Sequence, residues 1–345
     1  MTSGQDRPDS EQVRRHLLAD TVRFASQDPI DPAIPAICIL CGANRLRPST
    51  KFANSSWHLW NCLDCSTDFV FPIPTQDVLS RYYNPLNYDR FTLYRNRRHL
   101  LPRQERFKAL LNRALGTARN SGILLDMGCS TGPLMSVGLR LGWEVEGMEI
   151  DPDAAKVARA DTGSPVMVGA GFESVPSSRV YDLIVMSHWL EHVRDPGTQL
   201  AAARGHLTPD GKVLLRVPNA DCTCAHFMRE GWSWFIPPIH LSYFTRTSII
   251  ESARRFGYSR VETWTWQGEA DPIAVELGIA SARLALHRPS GPLELRARTG
   301  LDGPPQPSPR AQLLNRVARE LGGGLRYANP FAPLENGELV AIMSK

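Results

Sequence analysis

The stretch from Gly122 to Asp151 constrains this chain most. Ile123 to Met127 reads as a short buried strand, Gly128 to Gly132 as a tight turn of small residues, Pro133 to Leu141 as a helix and Glu144 to Ile150 as a second strand. Together they make a βαβ unit. Glycine lets the turn approach a ligand closely, and the first turn of the helix offers unpaired N–H groups to anything anionic. Pro133 suits the first helical position, where no N–H is needed. Glu149 ends the second strand about where a ribose-binding carboxylate belongs in such units. The expected ligand is a nucleoside with a charged tail.

Spacing narrows the nucleoside. A dinucleotide fingerprint reads G-x-G-x-x-G, whereas here Gly128 and Gly132 flank Ser130 and follow Asp126. A phosphate-cradling G-x-x-x-x-G-K-[ST] loop is also missing, which argues against ATP or GTP chemistry. Asp126-x-Gly128-x-Ser130-x-Gly132, followed by Glu149, instead resembles the first two motifs of the class I S-adenosylmethionine (SAM) methyltransferases, with serine where that family usually has glycine. Further on, Leu190-Glu191-His192-Val193-Arg194-Asp195-Pro196 is similar to the corresponding segment of the ubiquinone-biosynthesis-like branch. The resemblance implies an α/β fold, a seven-stranded doubly wound Rossmann-like sheet whose last strand enters antiparallel between the fifth and sixth. It also implies SAM as cofactor. Asp126 and the backbone of Gly128, Ser130 and Gly132 would hold the methionine moiety, Glu149 the ribose hydroxyls, and Phe172 and Glu173 would lie near the adenine.

Upstream, Cys38-x-x-Cys41 and Cys62-x-x-Cys65 are separated by about twenty residues, the spacing of a four-thiolate tetrahedral zinc site on paired hairpins. Four thiolates leave zinc no open position, so a structural ion is the favoured reading, with redox or nucleic-acid-binding roles as alternatives. The expected organisation is a flexible leader (1–30) with a helix from Ser10 to Phe24, a zinc ribbon (31–75), an aromatic and basic linker and helix (76–118), a SAM-binding core (119–270), and a C-terminal helical insertion plus the final strand (271–345). In the linker, Tyr82, Tyr83 and Tyr88 either cover the mouth of the site or staple the ribbon to the core. The basic run from Arg95 to Lys108 reads as a solvated helix face before an anion-binding surface.

In the core, strands are expected at Pro165 to Gly169, Tyr181 to Met186 and Lys212 to Val217, the last after a turn at Thr208 to Gly211, with a further strand at Tyr258 to Trp266. In open α/β sheets the ligand sits beyond the carboxyl ends of the strands, which places the loop beginning at Ser187 over the transferred group. Ala220 to Phe244 is long for a connection and reads as a lid or binding element. His188, His192, His240 and Tyr243 all map to this end of the sheet, and histidine titrates near working pH, so His192 and His240, then His188, are the candidate bases.

Composition excludes several classes. With 42% hydrophobic and 21% charged residues the 345-residue chain is globular, and a net charge of +4 does not call for nucleic acid. No apolar run spans a membrane and the polar N-terminus lacks a signal-peptide core, so a cytoplasmic location is expected, with no membrane partner. The leading expectation is a methyltransferase acting on a small-molecule acceptor: a sugar, a nucleotide-linked sugar or a secondary metabolite. O-methylation is preferred slightly over N- or C-methylation. A zinc-ribbon RNA methyltransferase and a non-catalytic SAM-binding scaffold are the alternatives, and a homodimer contact is expected at the C-terminal insertion.

Overall fold

The computed structural model of the protein describes residues 37–51, 58–82, 97–115, 122–222, 225, 232, 234–237, 239–266 and 338–345. The expected leader helix, Tyr83, Tyr88 and the insertion at 271–334 lie outside these residues. The chain groups into two compact units: one of residues 1–218, 236–264 and 339–345, the other of 219–235 and 265–338. The architecture below belongs to the first. Among the described residues no helix is long and apolar enough to cross a membrane.

Two sheets form the first unit. The smaller takes β1 (Leu46–Lys51), β2 (His58–Cys62) and β3 (Asp68–Phe71) from the cysteine-bearing region and is completed by β9 (Ser242–Tyr243), in the order β1-β2-β3-β9. Two helices follow β3, α1 (Gln76–Tyr82) and α2 (Arg97–Leu115); on the latter Phe107, Leu110, Leu111 and Ala114 are buried while Lys108 is exposed.

The larger sheet contains β4 (Ile123–Met127), β5 (Glu144–Glu149), β6 (Val166–Val168), β7 (Tyr181–Ser187), β8 (Leu207–Pro218), β10 (Arg260–Trp266) and β11 (Glu338–Ser344). Its order is β10-β11-β8-β7-β4-β5-β6. The pairs β4·β5, β4·β7, β5·β6 and β7·β8 are parallel, which buries both faces and explains why β4, β7 and β8 read as apolar runs and not as alternating patterns. Near the chain's last residues, Lys345 N–H donates to Gly211 O in the first half of β8, and Ser259 N–H donates to Ser344 O just before β10. The carboxyl end of β11 therefore lies beside the amino ends of both neighbours, and it runs antiparallel between them as the family resemblance implied.

Helices α3 (Pro133–Arg140), α4 (Pro152–Thr162), α5 (Pro196–Gly205) and α6 (Arg246–Arg255) connect the strands. The first three open on proline, which loses nothing where no N–H partner exists. Asp151 caps α4 by accepting from Asp153 N–H and Ala154 N–H at 2.8 and 3.2 Å, Asp195 caps α5 by accepting from Thr198 N–H at 3.0 Å, and Thr245 and Ser248 cap α6 reciprocally.

One expectation is corrected. The turn at Thr208 to Gly211 does not precede the strand. It lies within β8 as an extra loop of backbone, since Tyr181 pairs with Leu207 but Leu183 pairs with Lys212. The expected lid or binding element at Ala220–Phe244 is anchored at its carboxyl end, where Ser242 and Tyr243 are strand residues paired with Phe69 and Asp68.

Candidate cofactor and acceptor site

The turn after β4 is shaped by three left-handed residues at alternate positions, Gly128 (φ 71°), Ser130 (φ 52°) and Gly132 (φ 79°). Glycine adopts that conformation without strain, which accounts for the preference at all three positions, and serine tolerates it at some cost. Gly128 N–H and Cys129 N–H both donate to Met148 O on β5, and Ser130 N–H donates to Glu149 Oε2 at 2.7 Å. Glu149 Oε1 accepts from Asp151 N–H at 3.0 Å. The turn and the second carboxylate thus form one hydrogen-bonded unit. A carboxylate accepts up to about four hydrogen bonds, so two backbone donors orient Glu149 without exhausting it.

The turn is also tightly packed. A Cβ on Gly128 would come within 2.7 Å of Trp189 Cδ1, and one on Gly132 within 3.0 Å of Thr162 Cγ2 and 3.3 Å of Ala158 Cβ on α4. Asp126, at the penultimate position of β4, is 3% exposed. Burial, and then the negative charge of Glu149, push its pKa well above the ordinary carboxylate value. Phe172 sits on a single 3-10 turn, Phe172–Ser174, with its N–H donated to Gln199 Oε1 at 2.9 Å. Its ring is buried, stacked 5.3 Å from His206 and edge-on to Trp189 at 6.5 Å. That ring is part of the core, and Glu173 is the exposed member of the pair expected near adenine.

At the carboxyl end of β7 the chain makes a second 3-10 turn, Leu190–His192. His188 adopts φ 53°, and its Nδ1 lies 3.0 Å from Glu191 Oε1. His192 Nδ1 lies 2.9 Å from Ile239 O; a carbonyl only accepts, so Nδ1 carries the proton and the lone pair of the neutral ring is on Nε2. That Nε2 is 3.9 Å from Glu191 Oε1. His240 is buried, its ring 4.8 Å from that of His192 and 6.4 Å from that of Tyr243. The structure therefore brings His188, His192 and His240 together, with Tyr243 at the edge of the group.

Glu191 is the member that reasoning from sequence did not single out. It is fully buried, and Oε2 has no hydrogen-bond partner among the described residues. Burial alone would raise its pKa, but the hydrogen bond with His188 and the charges of His192, His188 and His240 outweigh that and hold it down to about 2. Three imidazoles around one ionised carboxylate can store a proton and return it. The clue was an acidic residue three positions after one histidine and directly before another, in a loop at the carboxyl end of a strand.

Two groups among the described residues have ligand atoms close enough to share a metal ion. One is Glu191, His192 and His240; the other is the four cysteines, all buried. Cys38 and Cys65 sulfurs are 3.5 Å apart and those of Cys41 and Cys62 3.6 Å. A tetrahedron of sulfurs about 2.3 Å from zinc has an edge of about 3.8 Å, so the donor set fits. These separations are far above a disulfide length of about 2.05 Å, and all four thiols are free. The hydrogen bond from Cys38 already draws Cys65 toward thiolate, to about 5, against its burial.

Residues 97–263 match the family model described as "Methyltransferase domain". The ubiquinone biosynthesis O-methyltransferase of Cereibacter sphaeroides is 28% identical over 188 residues, covering 46% of this chain and 73% of that protein. The proteins of the same name from Xanthomonas campestris pv. campestris and Xanthomonas euvesicatoria pv. vesicatoria are 34% and 35% identical over 150 and 104 residues. Those matches cover 37% and 28% of this chain and 62% and 43% of the relatives, so the chain spans less than two thirds of either. Among solved structures, the magnesium protoporphyrin IX methyltransferase of Synechocystis PCC 6803 with bound S-adenosylhomocysteine superposes with a TM-score of 0.46 at 14% identity, covering 56% of this chain and 94% of that one. Residues 97–263, just under half of the chain, thus form a methyltransferase domain of the class I SAM-dependent kind.

Proposed function

We propose that the protein transfers the methyl group of SAM to a hydroxyl oxygen of a small molecule, with His192 as the base and His240 and His188 beside it. The observation that carries this is the buried Glu191 with imidazoles on either side, at the carboxyl end of β7 and next to the Trp189 that covers the glycine turn. The sulfonium methyl is already activated, so the site has to align oxygen, carbon and sulfur and remove one proton. Alignment is worth on the order of 7–11 kcal/mol of barrier, and a placed base about a hundredfold or more in rate. His192 Nε2 takes the hydroxyl proton as oxygen bonds to the methyl carbon. The carbon–sulfur bond breaks and S-adenosylhomocysteine leaves neutral at sulfur. Ionised Glu191 stabilises the imidazolium formed.

The name shared by several relatives, ubiquinone biosynthesis O-methyltransferase, supports oxygen as the acceptor atom. In this reading Asp126 and the turn hold the methionine moiety and Glu149 the ribose. Zinc on Cys38, Cys41, Cys62 and Cys65 stabilises the ribbon, and a cytoplasmic setting that keeps thiols reduced suits such a site. The test uses methyl-labelled SAM with panels of phenols, catechols, sugars and nucleotide-linked sugars, followed by mass analysis of the product. The expected result is an O-methyl product and a fall of about a hundredfold or more in kcat for His192→Asn, with KM for SAM unchanged. An N- or C-methyl product, or full activity in His192→Asn, would overturn it.

A further inference from the structure

Strand β9 belongs to the ribbon's sheet although it lies some 170 residues beyond the ribbon's own strands in the sequence. It is only two residues long, so what it does is best read from the single residue before it. Leu241 O accepts from Val70 N–H of β3 at 2.9 Å, while Leu241 N–H donates to the backbone O of Glu191 at 2.8 Å. One residue is therefore tied on one side to the ribbon and on the other to the loop that carries His188, Glu191 and His192. Its neighbour in sequence is His240.

The cysteines anchor that connection. Cys62 N–H donates to Thr67 O at 2.9 Å, Cys65 Sγ lies 3.2 Å from Thr67 Oγ1, and β3 begins at the next residue. The other knuckle grips the far end of the same loop: Gly197 N–H points at Ile39 O at 3.4 Å, and a Cβ on Gly197 would lie 2.3 Å from Leu40 O. Both knuckles of the four-cysteine site thus bear on the backbone segments that place the histidines. None of these contacts involves Asp126, Gly128–Gly132 or Glu149.

We propose that the zinc ribbon is a positioning element for the acceptor side of the site: through β3 and Leu241, hydrogen-bonded by both its N–H and its C=O, the metal-held knuckles set His240 against His192 and leave the SAM side untouched. This rests on reading His192 and His240 as acceptor-side groups. Loss of the metal then disorders the base pair while the protein still takes up cofactor. The four thiolates gain a consequence for catalysis without touching substrate.

The experiment footprints histidines by diethylpyrocarbonate labelling and mass spectrometry in three full-length proteins: metal-loaded wild type, wild type stripped with a phenanthroline chelator, and metal-loaded Val70→Pro, which lacks the N–H that Leu241 accepts. Val70→Ala, which keeps that N–H, controls for packing. Calorimetry with S-adenosylhomocysteine runs alongside. His240 is protected in the loaded wild type and in Val70→Ala. Its labelling rises about fivefold to tenfold in the stripped protein and in Val70→Pro, with nucleoside affinity within about twofold throughout. Continued protection of His240 in the stripped protein overturns the proposal, and so does a parallel collapse of nucleoside binding, which would mean general unfolding. If Val70→Pro fails to fold, Cys41→Ser decides, since it removes a thiolate of the ribbon and leaves Glu191, His192 and His240 intact. Labelling reports placement without turnover, so failure here is distinct from a finding that the histidines take no part in methyl transfer.

Discussion

Burial of Asp126 at the end of β4, and then the charge of Glu149, disfavour its ionised form. A carboxyl whose folded pKa is raised contributes stability that is fully present below its unfolded value near 3.8 and is lost as pH rises through the folded value. Asp126→Asn should therefore have a higher thermal midpoint than wild type near neutrality, the gap closing toward about pH 4, and should bind SAM more weakly. Melting curves across that range check the first point. Calorimetry in two buffers of different ionisation heat checks whether SAM, bringing an ammonium and a sulfonium, expels a proton from wild type but not from the variant. Ser130 offers a second test at φ 52°. Glycine there relieves strain but adds freedom to the unfolded chain, so Ser130→Gly should change stability by less than about 1 kcal/mol. Ser130→Val, β-branched in a left-handed position, should cost about 2 kcal/mol, read by denaturant unfolding. These residues were legible in sequence because their constraints are local: a backbone angle, a close approach, a fixed spacing. Glu191 was not, because nothing local shows that its carboxylate is fully buried or that His240, 49 positions away in the sequence, joins His188 and His192 around it.

At the scale of elements, strand and helix positions followed from apolar runs and caps, and β4, β5 and β7 fall within a residue or so of where the pattern places them. The exceptions share a cause. A two-residue strand such as β9 has no period to detect, and only its partner β3 gives it an identity. The extra backbone inside β8 carries Pro209, Asp210 and Gly211, ordinary turn chemistry that the flanking strand absorbs. The close contact between α5 and the first knuckle is testable in its own right. Gly197→Ala would force a methyl group against the Leu40 carbonyl and should cost about 1–3 kcal/mol, lowering the thermal midpoint in melting curves by a few degrees.

For the whole molecule, the order β10-β11-β8-β7-β4-β5-β6 places the last strand in chain order at an interior position of the sheet. Leu339, Val340, Ala341 and Met343 on it are all buried. Residues 267–337 intervene between β10 and its neighbour β11, so this pairing joins positions about seventy residues apart in the sequence and the sheet is incomplete until it forms. Pulse-labelled hydrogen exchange during refolding should show amides of β4, β5 and β7 protected first and those of β10 and β11 last; early protection of β11 would contradict this ordering. Until that closure, β8 and β10 each expose a bare edge in what becomes the middle of the sheet, an open seam that another unfinished chain can enter as readily as the correct strand. Recovery from denaturant should accordingly fall as protein concentration rises, and a peptide bearing the sequence of β11, added in excess during refolding, should compete for the seam and lower the yield further.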